Sequence, residues 1–96
     1  MKQYRLTPAA QRDLSEIWDY TAQRWDIEQA EIYVAELRAA IERIAAAPDR
    51  GHPCDEIREG YRRYRIGGHL VFYVETAHTV DVIRLLHRRM DPARHL

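Results

Sequence analysis

Apolar residues recur every three or four positions along the first half of the chain. Thr7 and Pro8 are typical of a helix start, because a threonine hydroxyl can cap the first turn and proline lacks an N–H that would have no partner there. The stripe that follows consists of Ala10, Leu14, Ile17, Trp18, Thr21 and Trp25. This spacing predicts an amphipathic helix, with Arg12, Asp13, Glu16, Asp19 and Gln23 on its other side.

A second helix is predicted directly after the first. Asp26 is a good N-cap, and Gln29 three residues later completes a capping box. Pro48 limits the helix, since the residue before a proline is driven out of helical geometry. The apolar stripe between them is Ala30, Tyr33, Val34, Leu37, Ile41, Ile44 and Ala45. So short a connection predicts an antiparallel helical hairpin, and we interpret the aromatic residues of both stripes as core.

From Gly60 the apolar period changes from about 3.6 to 2, which indicates strands. Tyr61–Ile66 alternates, and Gly67-Gly68 suits a tight hairpin. His69–Glu75 is apolar enough for a central strand covered on both faces. After a turn at Thr76–His78, Thr79–His87 predicts the last strand. The remaining expected elements are a weakly alternating first strand at Lys2–Leu6, a loop at Asp49–Glu59 and a basic tail at Arg88–Leu96.

These elements predict a single α+β domain over residues 1–96, in the order β-α-α-β-β-β. The helical hairpin has to bury its apolar stripe, so we expect it to pack on one face of a twisted antiparallel sheet. Arg63 and Arg65 share one side of a strand, and we place Arg84 between Val82 and Leu86 on one side of the last strand. These charges predict a second face that is half covered, or covered by a partner.

The net charge changes this picture little, because 15 basic and 15 acidic residues cancel. The balance argues against a protein that simply coats nucleic acid. Residues 1–48 are nevertheless acidic on balance and residues 49–96 basic. All basic residues but Lys2 are arginine, the residue suited to bidentate contacts with carboxylate or phosphate. A lone cysteine, Cys54, indicates a reducing cytoplasm. We expect no membrane span, because no apolar run approaches ~18 residues. We also expect no signal peptide, because Met1–Leu6 does not show its pattern.

The sequence motifs do not support binding of a metal ion or a cofactor. The histidines have no paired helical spacing, Cys54 has no C-x-x-C partner, and no glycine-rich phosphate loop occurs. We therefore expect no metal and no cofactor. The remaining set of arginine, histidine and tyrosine residues could cleave RNA, with His87 as the titrating group and Arg65 and Arg84 holding the phosphate. The same arginines could equally pair with the acidic residues of a protein partner.

Four segments of the sequence resemble a known protein family. The segments Gly60–Gly67 (GYRRYRIG), His69–Tyr73 (HLVFY), Val82–Asp91 (VIRLLHRRMD) and Leu14–Tyr20 (LSEIWDY) resemble the ParE toxins of bacterial toxin–antitoxin systems, within the RelE/ParE superfamily. The resemblance covers essentially the whole chain. It implies a helical hairpin on a twisted antiparallel sheet, a ParD-type antitoxin as partner and DNA gyrase as target, with nucleic acid met only through gyrase or the antitoxin's operator.

The other branch of the superfamily cleaves mRNA on the ribosome and supplies an alternative. By position, Arg65 and Arg84 match its phosphate-binding arginines, and His87 falls near a catalytic histidine of one subgroup. That subgroup ends in an aromatic residue where this chain has Arg88, and the lysine pair of another subgroup is absent, since Lys2 is the only lysine. We therefore predict a cytoplasmic, non-enzymatic inhibitor of gyrase.

Two sets of site residues follow from this interpretation. We predict that the antitoxin contacts Trp18, Arg63, Arg65, Tyr73 and Arg84. We predict that the target contacts His87, Arg88, Arg89, Met90 and Arg94. The tail should turn back over the sheet or project into solvent, with Met90 and Leu96 as its apolar anchors.

Overall fold

The structure, a computed structural model, describes residues 2–96. It contains five strands, β1 (Gln3–Leu6), β2 (His52–Pro53), β3 (Tyr61–Ile66), β4 (His69–Glu75) and β5 (Thr79–His87), and two long helices, α1 (Pro8–Arg24) and α2 (Ile27–Ala46). Single 3-10 turns lie at Pro48–Arg50 and Pro92–Arg94. The predicted α+β architecture and element order are confirmed, and β2 is an addition inside the segment that we expected to be a loop.

Both predicted helix caps form. The Thr7 hydroxyl accepts a hydrogen bond from the Ala10 N–H at 3.0 Å, and the Asp26 carboxylate accepts one from the Gln29 N–H at 2.7 Å. Trp25 does not join the core as we expected. It follows the last residue of α1, and 68% of its surface is exposed, because the helix has ended before its apolar stripe completes another turn. In the described chain, residues 2–96, no helix is long and apolar enough to cross a membrane.

The five strands form one sheet in the order β1-β5-β4-β3-β2. β2 to β5 pair antiparallel with their neighbours, whereas β1 pairs parallel with β5. The expectation of a wholly antiparallel sheet is therefore wrong at this one pair. An alternating pattern does not encode strand direction, and the chain between β1 and β5, which includes both helices and β2 to β4, supplies the long connection that a parallel pairing requires.

A β-bulge interrupts the pairing of β4 with β5. Phe72 pairs with Arg84 and Tyr73 with Val82, so Ile83 has no partner residue in β4. An extra residue in one strand exchanges the faces of all residues beyond it. Val82 accordingly packs beneath the helices while Leu86 packs on the opposite face. The expectation that Val82, Arg84 and Leu86 share one side is wrong for this reason.

The helices cover one face of the sheet, and this face carries the main core. Leu37, Ile41 and Ile44 of α2 are fully buried there against Val71 and Tyr73 of β4. The opposite face has a small cluster of Cys54, Phe72 and Leu86, against which Ile57 and the C-terminal Leu96 pack. β4 is thus covered on both faces, as predicted, and the tail does turn back over the sheet.

The hairpin between β3 and β4 shows why glycine occupies its turn. Gly67 has a φ of +56°, in the left-handed region that side chains disfavour, whereas Gly68 does not have a positive φ. A Cβ at Gly67 would also lie 2.9 Å from the hydroxyl oxygen of Tyr33. The turn therefore fits closely beneath α2 and fixes the ends of β3 and β4 near the helices.

Candidate functional site

Four arginines line a cleft on the face of the sheet opposite the helices. Arg63 and Arg65 point to this face because alternate residues of β3 share a side. The Arg88 N–H donates to the Gly68 carbonyl at 2.9 Å, which continues the pairing of β5 with β4. The chain then turns, with the Met90 N–H donating to the His87 carbonyl at 2.9 Å, and this brings Arg88 and Arg89 to the cleft. His52 and Leu70 complete the lining, and the cleft encloses about 590 Å³. We call it the arginine cleft.

The positive charge of the arginine cleft is not neutralised locally. Among residues 2–96, no carboxylate lies within ion-pairing distance of Arg63, Arg65, Arg88 or Arg89. The Arg65 Nε donates only to the Gly67 carbonyl, at 3.3 Å. Guanidinium groups without carboxylate partners keep their donors free for an external anion. The cleft is therefore suited to bind carboxylate or phosphate groups.

Arg84, which we predicted as an antitoxin contact, is already paired within the protein. Its Nε and Nη2 donate to the two carboxylate oxygens of Asp13 at 2.8 and 2.9 Å. The same carboxylate accepts the Leu85 N–H at 2.9 Å, and Arg84 Nη1 donates to the His95 carbonyl at 3.2 Å. Hydrogen bonding to Asp13 raises the pKa of Arg84 above its ordinary value. Arg84 thus joins α1, β5 and the tail.

Asp13 is the residue that our sequence interpretation misplaced most clearly. We assigned it to the solvent side of α1, yet it is only 7% exposed. Its position was readable from the spacing, since residue 13 lies three after Ala10 and four before Ile17, within the apolar stripe. β1 ends at Leu6, and beyond it the Asp13 carboxylate caps an N–H on the uncovered edge of β5.

A histidine cluster lies on the helix side of the sheet. The Tyr33 hydroxyl is 2.6 Å from His69 Nδ1, and the rings of His69 and His87 meet edge to face at 5.5 Å. Burial, and next the neighbouring His87, lower the pKa of His69 below its ordinary value. We did not select Tyr33 or His69, because only the register of β4 with β5 places His69 opposite His87.

The structure does not bring together the residues of the alternative ribonuclease site. Arg65 lines the arginine cleft on one face of the sheet. His87 borders a cleft beneath the helices, on the other face, with His69 and Met90. Arg84 lines neither cleft and is held by Asp13. Catalytic groups for phosphoryl transfer have to converge on one phosphate, and these three do not.

The remaining predicted site residues are dispersed. Tyr73 is fully buried, with its hydroxyl donating to the Pro48 carbonyl at 2.6 Å and accepting the Gly51 N–H at 2.8 Å. A direct antitoxin contact by Tyr73 is therefore contradicted. Trp18 is half-buried between the helices, while Met90 and Arg94 are exposed. Arg94 lies 3.9 Å from the carboxylate of Asp91.

The donor groups of these sites indicate anion binding rather than metal binding. In the described part of the chain, no three histidine, cysteine or acidic side chains are close enough to hold a metal ion. Cys54 is buried, and burial raises the pKa of its thiol, which leaves it protonated at neutral pH. The arginine cleft is therefore the most chemically distinctive site of the molecule.

Comparison with known proteins identifies the fold and the family. Over residues 4–92 the sequence matches the ParE toxins of type II toxin–antitoxin systems, parDE. A chain of the chromosomal ParDE system from P. aeruginosa superposes with a TM-score of 0.78 over 91% of this chain and 96% of its own, at 16% identity. A chain of the toxin–antitoxin complex RelBE2 from Mycobacterium tuberculosis gives 0.65 over 91% and 98%, at 26% identity.

Fold and sequence together define a toxin of the type II toxin–antitoxin class. The protein called Toxin ParE1 in Mycobacterium tuberculosis H37Rv is 54% identical over 94 residues, covering 97% of this chain and 96% of the relative. Toxin ParE1 of Caulobacter vibrioides is 48% identical over 96 residues, covering 100% and 99%. The chain belongs to the ParE toxin family, as its sequence resemblance indicated.

Proposed function

We propose that this toxin acts in the cytoplasm by inhibiting DNA gyrase without catalysis, and that a ParD-type antitoxin neutralises it by direct binding. Membership of the ParE family supports this function. The structural observation that carries it is the separation of Arg65 from His87 and Arg84, since the ribonuclease alternative requires these three residues to act on one phosphate.

The arginine cleft supports a role in binding the target. It holds four arginines that have no ion-pair partner in the described part of the chain, on a face that the helices leave open. Arg88 and Arg89, which we predicted as target contacts, line this cleft, and Arg94 follows them on the tail. His87 lies on the other face, so the proposal now excludes it from the target contact.

The helical hairpin supports a role in binding the antitoxin. Trp18 borders a surface cleft of about 460 Å³ with Leu14, Val34 and Arg38, between the two helices. Ile27 and Ile32 of α2 are exposed by 61% and 47%. We propose that an amphipathic helix of the antitoxin packs on this hairpin while an acidic extended segment reaches Arg63 and Arg65. The structural neighbours from toxin–antitoxin systems fit such a partner.

The test combines induced expression with a supercoiling assay. We expect induction to block replication and elicit the DNA-damage response while bulk translation continues at first, and the purified toxin to impair gyrase supercoiling or stabilise cleaved DNA. Coexpression of the antitoxin should restore growth. Rapid cleavage of mRNA within codons, with undamaged DNA, would reject the proposal.

Matched variants distinguish the two mechanisms. Arg65→Gln should weaken gyrase inhibition, because it removes one charge from the arginine cleft. His87→Gln should leave inhibition unchanged, because His87 faces the other side of the sheet. A ribonuclease would instead lose activity with both substitutions.

A further inference from the structure

The arginine cleft unites residues that the sequence had assigned to two different partners. Arg63 and Arg65 were expected to meet the antitoxin, and Arg88 and Arg89 the target, yet all four line one cavity. We propose that this cleft binds duplex DNA directly through its backbone phosphates. This inference rests on the proposed function, since it supplies the toxin with its own contact to the DNA that gyrase handles.

The geometry of the cleft suits phosphate groups. Arg63 and Arg65 are alternate residues of one strand, so their side chains leave the same face about 7 Å apart. Arg88 and Arg89 are both exposed, at the point where the chain turns out of β5. Each guanidinium presents a planar set of donors that can hold a phosphate oxygen pair. Together they provide four sites for charge on a single face.

The distribution of charge explains how a neutral protein can bind a polyanion. Residues 8–46, which form the helical hairpin, contain eight acidic and four basic residues, so the rest of the chain carries the compensating positive charge. The arginine cleft lies on the face opposite this acidic hairpin. Such a dipolar distribution orients the molecule toward an anion. We took the zero net charge as evidence against nucleic-acid binding, but this argument does not hold for the face that carries the arginine cleft.

The lining favours a duplex over a single strand or a peptide that docks through apolar side chains. Proteins that bind single strands place aromatic side chains along the groove for base stacking, and the lining contains no tryptophan, tyrosine or phenylalanine, with His52 as its single ring. Peptides are anchored by apolar or aromatic side chains, whereas Leu70 is the one apolar residue among those that line the cleft. Arginine donors without stacking or apolar anchors match the sequence-independent contacts of a duplex backbone.

The test measures binding of a fluorescein-labelled 20-base-pair duplex to the purified full-length toxin by anisotropy, without gyrase. Since each phosphate contact contributes a slope of about −0.9 to log K against log salt, four contacts give roughly −3.6. Affinity should then fall on the order of 100-fold between 50 and 200 mM salt. The quadruple variant R63Q/R65Q/R88Q/R89Q should abolish measurable binding and this dependence.

Two further variants separate a specific cleft from general positive charge. Arg12 and Arg43 are exposed on the helical hairpin, and R12Q/R43Q should bind the duplex as the native protein does. Replacement of all four cleft arginines by lysine should retain most of the salt dependence, because the charge is kept. Circular dichroism spectra of all variants should match the native spectrum.

The outcomes are distinguishable from those of the proposed function. The inference is overturned if the native toxin inhibits supercoiling but binds the duplex no better than the quadruple variant does. Gyrase inhibition, the proposed function, would be unaffected by that result. Equal losses in R12Q/R43Q and the quadruple variant would also overturn it. Tighter binding of a single-stranded RNA than of the duplex would assign the cleft to that ligand instead.

Discussion

The two faces of the sheet differ in what they bury and in what they leave exposed. Within residues 2–96, the buried cluster on the helix side has eleven members, among them Leu37, Ile41 and Tyr73. The buried cluster on the opposite side has three, Cys54, Phe72 and Leu86. Beside this small cluster the opposite side presents four arginines that have no ion-pair partner among residues 2–96. Because apolar burial dominates folding free energy, the helix side holds the fold together and leaves the other side free to carry charge.

Two neighbouring arginines illustrate the same contrast. Arg84 and Arg88 lie four residues apart at the end of β5, and both were predicted to meet a partner. The Asp13 carboxylate holds the half-buried Arg84, whereas Arg88 is exposed and lines the cleft. An arginine that is paired inside the protein contributes to folding, while an unpaired one on the open face remains available for binding.

The largest difference between the faces should appear when a leucine is truncated on each. Leu37→Ala removes a fully buried side chain beneath the helices and should lower the free energy of unfolding by about 4 kcal/mol. Leu70→Ala, in the half-exposed lining of the arginine cleft, should cost about 1 kcal/mol. Urea denaturation of both variants measures this. Equal losses would contradict the assignment of stability to the helix side.

Asp13→Asn should have the next largest effect. The substitution leaves Arg84 without a counter-charge and should cost about 2 kcal/mol, less than the ~3–5 kcal/mol of a fully buried pair, because 23% of the Arg84 side chain is exposed. Asp91→Asn is the control, since Asp91 meets Arg94 only at 3.9 Å on the surface. Thermal unfolding should show little change for the control, and a comparable loss would refute the special role of Asp13.

A smaller effect should follow from the titration of His69. Its pKa is lowered in the folded protein from the ordinary value of 6.5, so the unfolded chain takes up the proton first as pH falls. Stability should therefore decrease as pH falls below about 6.5, and His69→Asn should reduce that decrease. His78→Asn, at an exposed turn position, should not. Denaturation curves from pH 7.5 to 5.5 decide between these results.

The smallest effect on stability should come from the tail arginines. Replacing Arg88, Arg89 and Arg94 with alanine should change the free energy of unfolding by no more than about 0.5 kcal/mol, because all three are exposed. Toxicity should nevertheless fall, since two of them line the arginine cleft. A growth assay beside a melting curve tests both expectations. Full toxicity of the triple variant would show that the tail does not contact the target. A large fall in the thermal midpoint would show that the tail arginines stabilise the fold.

The fold was largely predictable from the sequence, because its elements depend on local chemistry. The caps at Thr7 and Asp26, and the break before Pro48, locate both helices within two residues. The alternation of Tyr61–Ile66 predicts β3 with its observed bounds. The same alternation places Arg63 and Arg65 on one face. Two of the four arginines of the cleft could therefore be predicted to lie together.

The positions of the other two arginines, Arg88 and Arg89, could not be predicted, because they depend on contacts between residues that are distant in sequence. The bulge at Ile83 arises from the pairing of β5 with β4, and nothing in the local pattern of β5 announces an extra residue. Without it, His87 would change faces. The position of Arg88 and Arg89 over the sheet likewise depends on a hydrogen bond to Gly68, twenty residues earlier.

The sequence by itself determined the helices, most of the strands and the family, since periodicity, capping and segment resemblance are properties of neighbouring residues. Only the tertiary structure decided that β1 runs parallel to β5, that Asp13 holds Arg84 across 71 positions, and that Tyr73 is buried. Direction, register and ion pairing are chosen by the free energy of packing the whole chain. The same packing separates His87 from Arg65 and gathers four arginines into one cleft.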